Sequence, residues 1–226
     1  MITVVGEALV DVVPDGDGGA KAHPGGSPAN VAVGLARLGA PVTLVTSYGD
    51  DPYGELVDAH LRGNGVTVHR GHDGGPTSVA EVTLDADGVA QYDFRIDWRL
   101  DGADLPPSVC LHTGSIAAVL EPGATAVEAL VRATRPRAVV SYDPNCRPSL
   151  MGAPDAARPR IERLVALADV VKVSEEDLAW LHPGRPYAEV AREWLALGPA
   201  VVVVTCGGEG SFGVAAAGRR AARRPG

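Results

Sequence analysis

The residues with the clearest chemical meaning lie in Pro24-Gly25-Gly26-Ser27-Pro28-Ala29-Asn30-Val31-Ala32. Ser27 has the type of a helix N-cap, Pro28 that of a first helical position and Gly39 that of a C-terminal stop, so a helix is predicted from Pro28 to Leu38. Gly25 and Gly26 let a polyhydroxylated or anionic ligand approach the backbone N–H groups at that helix start. Asn30, one turn in, offers both a donor and an acceptor. A sugar fits this chemistry; a plain glycine turn with Asn30 facing solvent fits the same residues equally well.

Other reactive patterns fail on context. Gly208, Gly210 and Gly213 make a Gly-x-Gly-x-x-Gly after an apolar run, but no helix-length segment follows, and only Arg, Ala, Pro and Gly occupy the region ~20 residues on where a ribose-binding acid is expected. A phosphate-binding P-loop is excluded because the only lysines, Lys21 and Lys172, precede Ala22 and Val173. Gly25-Gly26-Ser27-Pro28-Ala29 is one residue from a hydrolase nucleophile elbow, yet that elbow follows a buried strand and residues 20–24 lack strand character. His69 and His72 have no third metal ligand nearby. Cys110, Cys146 and Cys206 are odd in number and 36 and 60 residues apart, which suits free buried thiols rather than disulfides or a zinc site.

The elements that must position these residues alternate. Ile2 to Val13, Val42 to Thr46, Val109 to His112, Ala138 to Tyr142, Val170 to Val173 and Ala200 to Thr205 read as strands. Helices are predicted over Pro28 to Leu38, Tyr53 to Arg62, Pro122 to Thr134, Ala156 to Leu167, Glu175 to Leu181 and Ala188 to Leu197. The fold class is therefore α/β with a mostly parallel sheet. Thr77 to Leu84 and Val89 to Phe94 break the alternation, flanking Asp85-Ala86-Asp87-Gly88 as an antiparallel hairpin that would serve as an edge extension or a lid. Residues 215–226, rich in Arg and Ala, read as a tail.

A chain of 226 residues, 46% hydrophobic and 21% charged, is that of one good-sized globular unit, neither disordered nor fibrous. The net charge is −8, and Arg219, Arg220, Arg223 and Arg224 sit in the last eight residues, leaving −12 for residues 1–218. Duplex nucleic acid is excluded as a partner. No apolar run approaches the ~18 to 20 residues of a membrane span, and Glu7 interrupts the N-terminus before any secretion signal could form. A soluble, cytoplasmic protein with no membrane partner is expected.

Gly25-Gly26-x-x-x-Asn30-x-Ala32, ending in Leu38-Gly39, resembles the N-terminal signature of the ribokinase-like (PfkB) carbohydrate kinases. Six further blocks fall in the family's order: Gly6-Glu7-Ala8-Leu9-Val10-Asp11, Gly49-Asp50-Asp51-Pro52-Tyr53-Gly54, His112-Thr113-Gly114-Ser115, Asp143-Pro144-Asn145-Cys146-Arg147, Lys172 to Asp177, and Thr205-Cys206-Gly207-Gly208-Glu209-Gly210. They are most similar to the fructokinase-like branch. The resemblance implies a three-layer ribokinase-like (Rossmann-like) domain over 1–226, with small β-lid elements around 10–22 and 77–99. The implied activity transfers the ATP γ-phosphoryl to a sugar hydroxyl, fructose first, with ATP and Mg²⁺ as cofactors and a possible homodimer through the lid.

Carried over residue by residue, the resemblance implies that Asp11, Gly25, Gly26, Asn30 and Asn145 bind sugar, with Arg147 stabilising the phosphoryl group. Ser174, Thr205, Gly207 and Gly210 would border the nucleotide, where Thr-x-Gly-x-x-Gly after a strand turns backbone amides toward a phosphate. Asp177 stands where the family's Asn-x-x-Glu has Glu, and would hold metal through water; a Ser-capped helix with acids in its first turn is the other reading of residues 174–177. The family's Gly-Ala-Gly-Asp, which supplies an anion hole and the catalytic base, does not occur in these 226 residues. Two expectations follow: a sugar kinase in which another carboxylate, with Asp143 the candidate, acts as base, or a catalytically dead remnant that at most binds sugar. Loss of C-terminal helices would also bare apolar sheet surface and favour association.

Overall fold

The computed structural model describes residues 1–15, 19–72, 74–84, 90–101, 105, 107–216 and 222–224. Two sheets share the chain. The large one has the order β13-β12-β11-β10-β9-β8-β1-β4-β5, built from β1 (Ile2–Val5), β4 (Val42–Thr46), β5 (Thr67–Arg70), β8 (Cys110–Gly114), β9 (Val139–Asp143), β10 (Val170–Ser174), β11 (Val201–Thr205), β12 (Ser211–Ala215) and β13 (Ala222–Arg224). All neighbours are parallel except the β11–β12 and β12–β13 pairs. The small sheet, in the order β3-β2-β6-β7, comprises β2 (Leu9–Pro14), β3 (Ala20–Gly25), β6 (Ser78–Leu84) and β7 (Ala90–Arg95).

Among the described residues, seven α-helices connect the strands: α1 (Ser27–Arg37), α2 (Pro52–Gly63), α3 (Gly123–Thr134), α4 (Pro148–Met151), α5 (Pro154–Leu167), α6 (Glu175–Leu181) and α7 (Tyr187–Leu197). Because side chains alternate along a strand, neighbouring residues of the large sheet feed two separate cores. Val4 and Leu44 join Ala29, Ala32, Val57 and Leu61 under α1 and α2. Val5 and Val45 belong to the other core, where Val127, Ile161, Leu178 and Val190 of α3, α5, α6 and α7 pack on Tyr142, Val171 and Val202. The architecture is the α/β, ribokinase-like arrangement expected.

The structure differs from the sequence expectation at five places. The apolar run from Ile2 to Val13 is two strands in two sheets, broken at Gly6-Glu7-Ala8, because a Cβ on Gly6 would lie 2.3 Å from Pro28 Cγ. Residues 20–24, read as lacking strand character, form most of β3; an edge strand with exposed side chains needs no apolar alternation and tolerates Pro24. Helix α1 is capped by Gly26 (φ +100°), with Ser27 as its first residue and no side-chain cap, since a Cβ on Gly26 would stand 2.6 Å from the Glu7 carbonyl oxygen. β5 and β12 add to the sheet, and the stretch read as a tail contributes Ala215 to β12 and the backbone of Ala222–Arg224 to an antiparallel pairing with it. An edge strand's free backbone groups accept such a partner whatever its side chains. The hairpin residues 85–88 lie outside the described residues, as does the remainder of 217–226.

Candidate active site

A cavity of about 760 Å³ opens where the two sheets meet, lined among others by Glu7, Asp11, Gly26, Asn30, Asn145 and Arg147. Segments from across the chain thus converge: the linker after β1 with the strand β2 that follows it, the start of α1, strands β6 and β7, the turn after β8, and the loop after β9 with α4. Asp11 sits on β2 opposite His23 of β3 and Ala80 of β6. Burial pushes its carboxyl above the ordinary value, against the pull of Arg147 and His23. Gly25 does not line the cavity but backs it: any Cβ there would be 2.2 Å from Asp11 Oδ2. Asn30 is exposed on the cavity wall one turn into α1, its N–H bonded to the Gly26 carbonyl.

The loop after β9 is held in a specific shape. Asn145 takes a left-handed φ of +37°, and its N–H donates to Asp143 Oδ1 at 3.2 Å. Arg147 Nη1 donates to the Cys146 carbonyl (2.9 Å), to Asn145 Oδ1 (3.1 Å) and to the Asn145 carbonyl (3.3 Å), so the guanidinium is hooked onto its own loop at the cavity edge. Asp143 faces elsewhere. Its Oδ2 pairs with Lys172 Nζ at 3.1 Å and it is not among the cavity's lining residues. Its two oxygens are engaged in shaping the loop and in an ion pair, away from the cavity where a base would meet the sugar hydroxyl.

Ser174, Asp177, Thr205, Gly207 and Gly210 do not reach this cavity; they gather at the ends of β10 and β11. Ser174 Oγ accepts the Asp177 N–H at 3.0 Å, and Asp177 Oδ2 accepts the Ser174 N–H at 3.3 Å, a closed capping box at the start of α6. Asp177 Oδ1 accepts the Cys146 N–H at 2.8 Å. With an N–H bonded to each oxygen and the residue 8% exposed, Asp177 anchors α6 and the 145–147 loop. The Thr205 hydroxyl reaches the Val173 carbonyl at 3.5 Å, and Gly207 (φ +51°) and Gly210 (φ +93°) enter and leave a single 3₁₀ turn. Among the described residues no three His, Cys, Asp or Glu side chains stand together, so the residues present do not form a protein-caged magnesium site.

The residue that sequence reasoning passed over is Glu7, treated as part of a strand. It is buried at the cavity floor, its Oε2 accepting the Ala117 N–H at 3.1 Å, and burial raises its carboxyl from 4.5 to about 7. A lone acid inside an apolar run was the available signal. Phe94 of β7 and Ser115 after β8, the latter at φ +56°, complete the lining.

The sequence matches the profile of the pfkB family carbohydrate kinases over residues 1–225. The chain belongs to that family. The fructokinase of Klebsiella pneumoniae is 38% identical over 227 residues, spanning 96% of this chain and 73% of the relative. That of Rhizobium leguminosarum bv. trifolii is 34% identical over 226 residues, spanning 94% and 69%. Among solved structures, apo fructokinase from Vibrio cholerae O395 matches with a TM-score of 0.85 at 30% identity, covering 98% of this chain and 80% of that one. The fructose, ADP and calcium ion bound form of the same protein matches with 0.85 at 28% identity, covering 99% and 76%. This pfkB member is an ATP-dependent sugar kinase by family, as the ordered sequence blocks implied. No helix among its described residues is long and apolar enough to cross a membrane.

Proposed function

We propose that this pfkB chain takes fructose as its sugar and transfers the ATP γ-phosphoryl to one of its hydroxyls. The observation that carries this reading is the convergence of Asp11, Asn30, Asn145 and Arg147 on one cavity, in a chain whose named relatives are fructokinases. Asp11 accepts hydrogen bonds from sugar hydroxyls, while Asn30 and Asn145 each donate and accept. Gly26 gives the sugar backbone access at the start of α1, and Gly25 keeps Asp11 in place. Arg147, already fixed by three loop acceptors, stands ready to meet charge on the transferring phosphoryl.

The nucleotide is assigned to the ends of β10 and β11, where Thr205 and the Gly207–Gly210 turn present backbone to its phosphates. Magnesium, when bound, supplies charge neutralisation of those phosphates; it is expected to arrive held by nucleotide and water rather than by Asp177. The small sheet forms one wall of the cavity, which supports its reading as a lid within a single domain, and its edge strands are the surface assigned to a homodimer. The cytoplasm is the compartment proposed.

An ATP-coupled phosphorylation assay on the 226-residue protein, with fructose beside a panel of sugars and nucleosides, tests the reading. Fructose-dependent ADP release is expected; turnover of another substrate and not fructose overturns the sugar assignment. Fructose binding without turnover by these 226 residues favours the binding-only reading.

A further inference from the structure

Glu7 lies in Gly6-Glu7-Ala8, the linker that carries the chain from β1 in the large sheet to β2 in the small one. Its carboxylate is 2% exposed yet borders the cavity. Its hydrogen-bond partners are the Ala117 N–H, the Ser115 hydroxyl, the Ser27 N–H and its own N–H. Three are N–H donors and the Ser115 hydroxyl can donate or accept; beyond the linker they come from two separate places, the first residue of α1 and the turn after β8. The packing here is close: a Cβ on Gly6 would stand 2.3 Å from Pro28 Cγ and 3.3 Å from Ala117 Cβ. Among the described residues no charged group acts on its carboxyl; Asp11 of β2, on which Arg147 of the β9 loop and His23 of β3 act, is the other carboxylate lining this cavity.

A buried carboxylate without a cationic partner is costly, and an apolar side chain would fill the same space without that cost. What a carboxylate adds is the capacity to accept several N–H and O–H bonds at once from parts of the chain that otherwise have no common partner. We infer that Glu7 is the positioning residue of the sugar cavity, its carboxylate fastening the start of α1, and with it Asn30, and the Ser115–Ala117 turn to the linker from which the strand of Asp11 departs. This role rests on the sugar reading of the cavity. It has a further consequence: protonation turns one Glu7 oxygen into an O–H that only the Ser115 hydroxyl oxygen in this shell can accept, so fewer N–H groups are held and the fastening weakens. Burial brings that titration to about 7.

The test combines NMR and binding on the intact chain. In the wild type, the Asn30 side-chain amide and the Ser27 and Ala117 backbone amides should shift together through one step near pH 7, and E7Q should lack the step. Fructose affinity should fall about tenfold from pH 8 to pH 6 in the wild type, and E7Q, whose amide N–H₂ faces donors, should bind at least tenfold more weakly at pH 8 with a flatter profile. Wild-type affinity in E7Q, or weak binding that keeps the wild-type pH step, overturns the inference. Should E7Q not fold, Ser115→Ala removes one donor and must move the step to higher pH; an unmoved step overturns it equally. If the wild type binds no fructose, the proposed function falls while the amide titration still decides the role of Glu7.

Discussion

The cavity end and the β10–β11 end of this molecule are built from much the same residue types and spend them differently. At the cavity, Gly25 and Gly26 clear space around Asp11 and Glu7, and the polar groups of Asp11 and Asn30 face an opening large enough for a small ligand. At the other end, Ser174 and Asp177 satisfy each other and Cys146, and Gly207 and Gly210 are used to make a turn. One end is organised to bind; the other is organised to hold the fold and to offer backbone. A ligand entering the cavity therefore meets groups already in place, which limits the ordering it must bring about. Asp177 links the two ends, since the Cys146 N–H that it accepts lies between Asn145 and Arg147.

The sharpest way to break this contrast is Asp11→Ala. Removing a carboxylate that accepts hydroxyl bonds, each charge-assisted bond contributing about 1.5–3 kcal/mol, should weaken fructose binding at least 100-fold by calorimetry. Affinity within threefold of wild type would show that Asp11 faces the cavity without using it.

The next effect concerns stability at the cavity floor. The folded-state carboxyl of Glu7, at about 7, lies above its ordinary 4.5, so the stabilising contribution is fully present below 4.5 and is lost as pH rises to about 7. Ionised Glu7 thus opposes folding by roughly 3 kcal/mol. Chemical denaturation should show the stability of wild type minus that of E7Q falling by about this amount between pH 4.5 and 8. Parallel curves for the two proteins would contradict the burial of an unpaired carboxylate, and with it the idea that the cavity sacrifices stability for placement.

At the far end the effects should be structural. Asp177→Ala leaves the Cys146 and Ser174 N–H groups without their acceptor and is expected to cost about 2 kcal/mol in a denaturant melt, with the magnesium dependence of activity unchanged. A normal melt with an altered magnesium requirement would instead mark Asp177 as a holder of metal-bound water. Ser174→Ala, which deletes only the cap on α6, should cost about 1 kcal/mol and leave fructose affinity alone.

Much of this fold was legible because parallel strands buried on both faces are continuous apolar runs: Val42–Thr46, Val170–Ser174 and Val201–Thr205 stand out against the helical spacing around them. What escaped were elements whose partners are remote. β3 and β5 lie at sheet edges with exposed side chains, and the switch of sheets at Gly6 falls inside a mostly apolar run whose local marks there are Gly6 and Glu7 alone. The same divide holds in the site. Gly25, Gly26 and Asn30 carry local chemistry that a single segment displays, whereas Asn145 and Arg147 were reached only through family resemblance. Glu7 was missed because its meaning depends on donors at Ser27, Ser115 and Ala117. The anchoring role of Asp177 was hidden for a related reason, since Cys146 lies 31 residues away in sequence.

The account's central claim is that the sugar cavity is complete in the folded chain without nucleotide. Isothermal titration of the 226-residue protein with fructose alone, and separately with a non-hydrolysable ATP analogue alone, tests it most directly. Saturable one-to-one fructose binding in the absence of nucleotide is predicted. Nucleotide binding without any fructose binding, or fructose binding only after nucleotide is added, would contradict it.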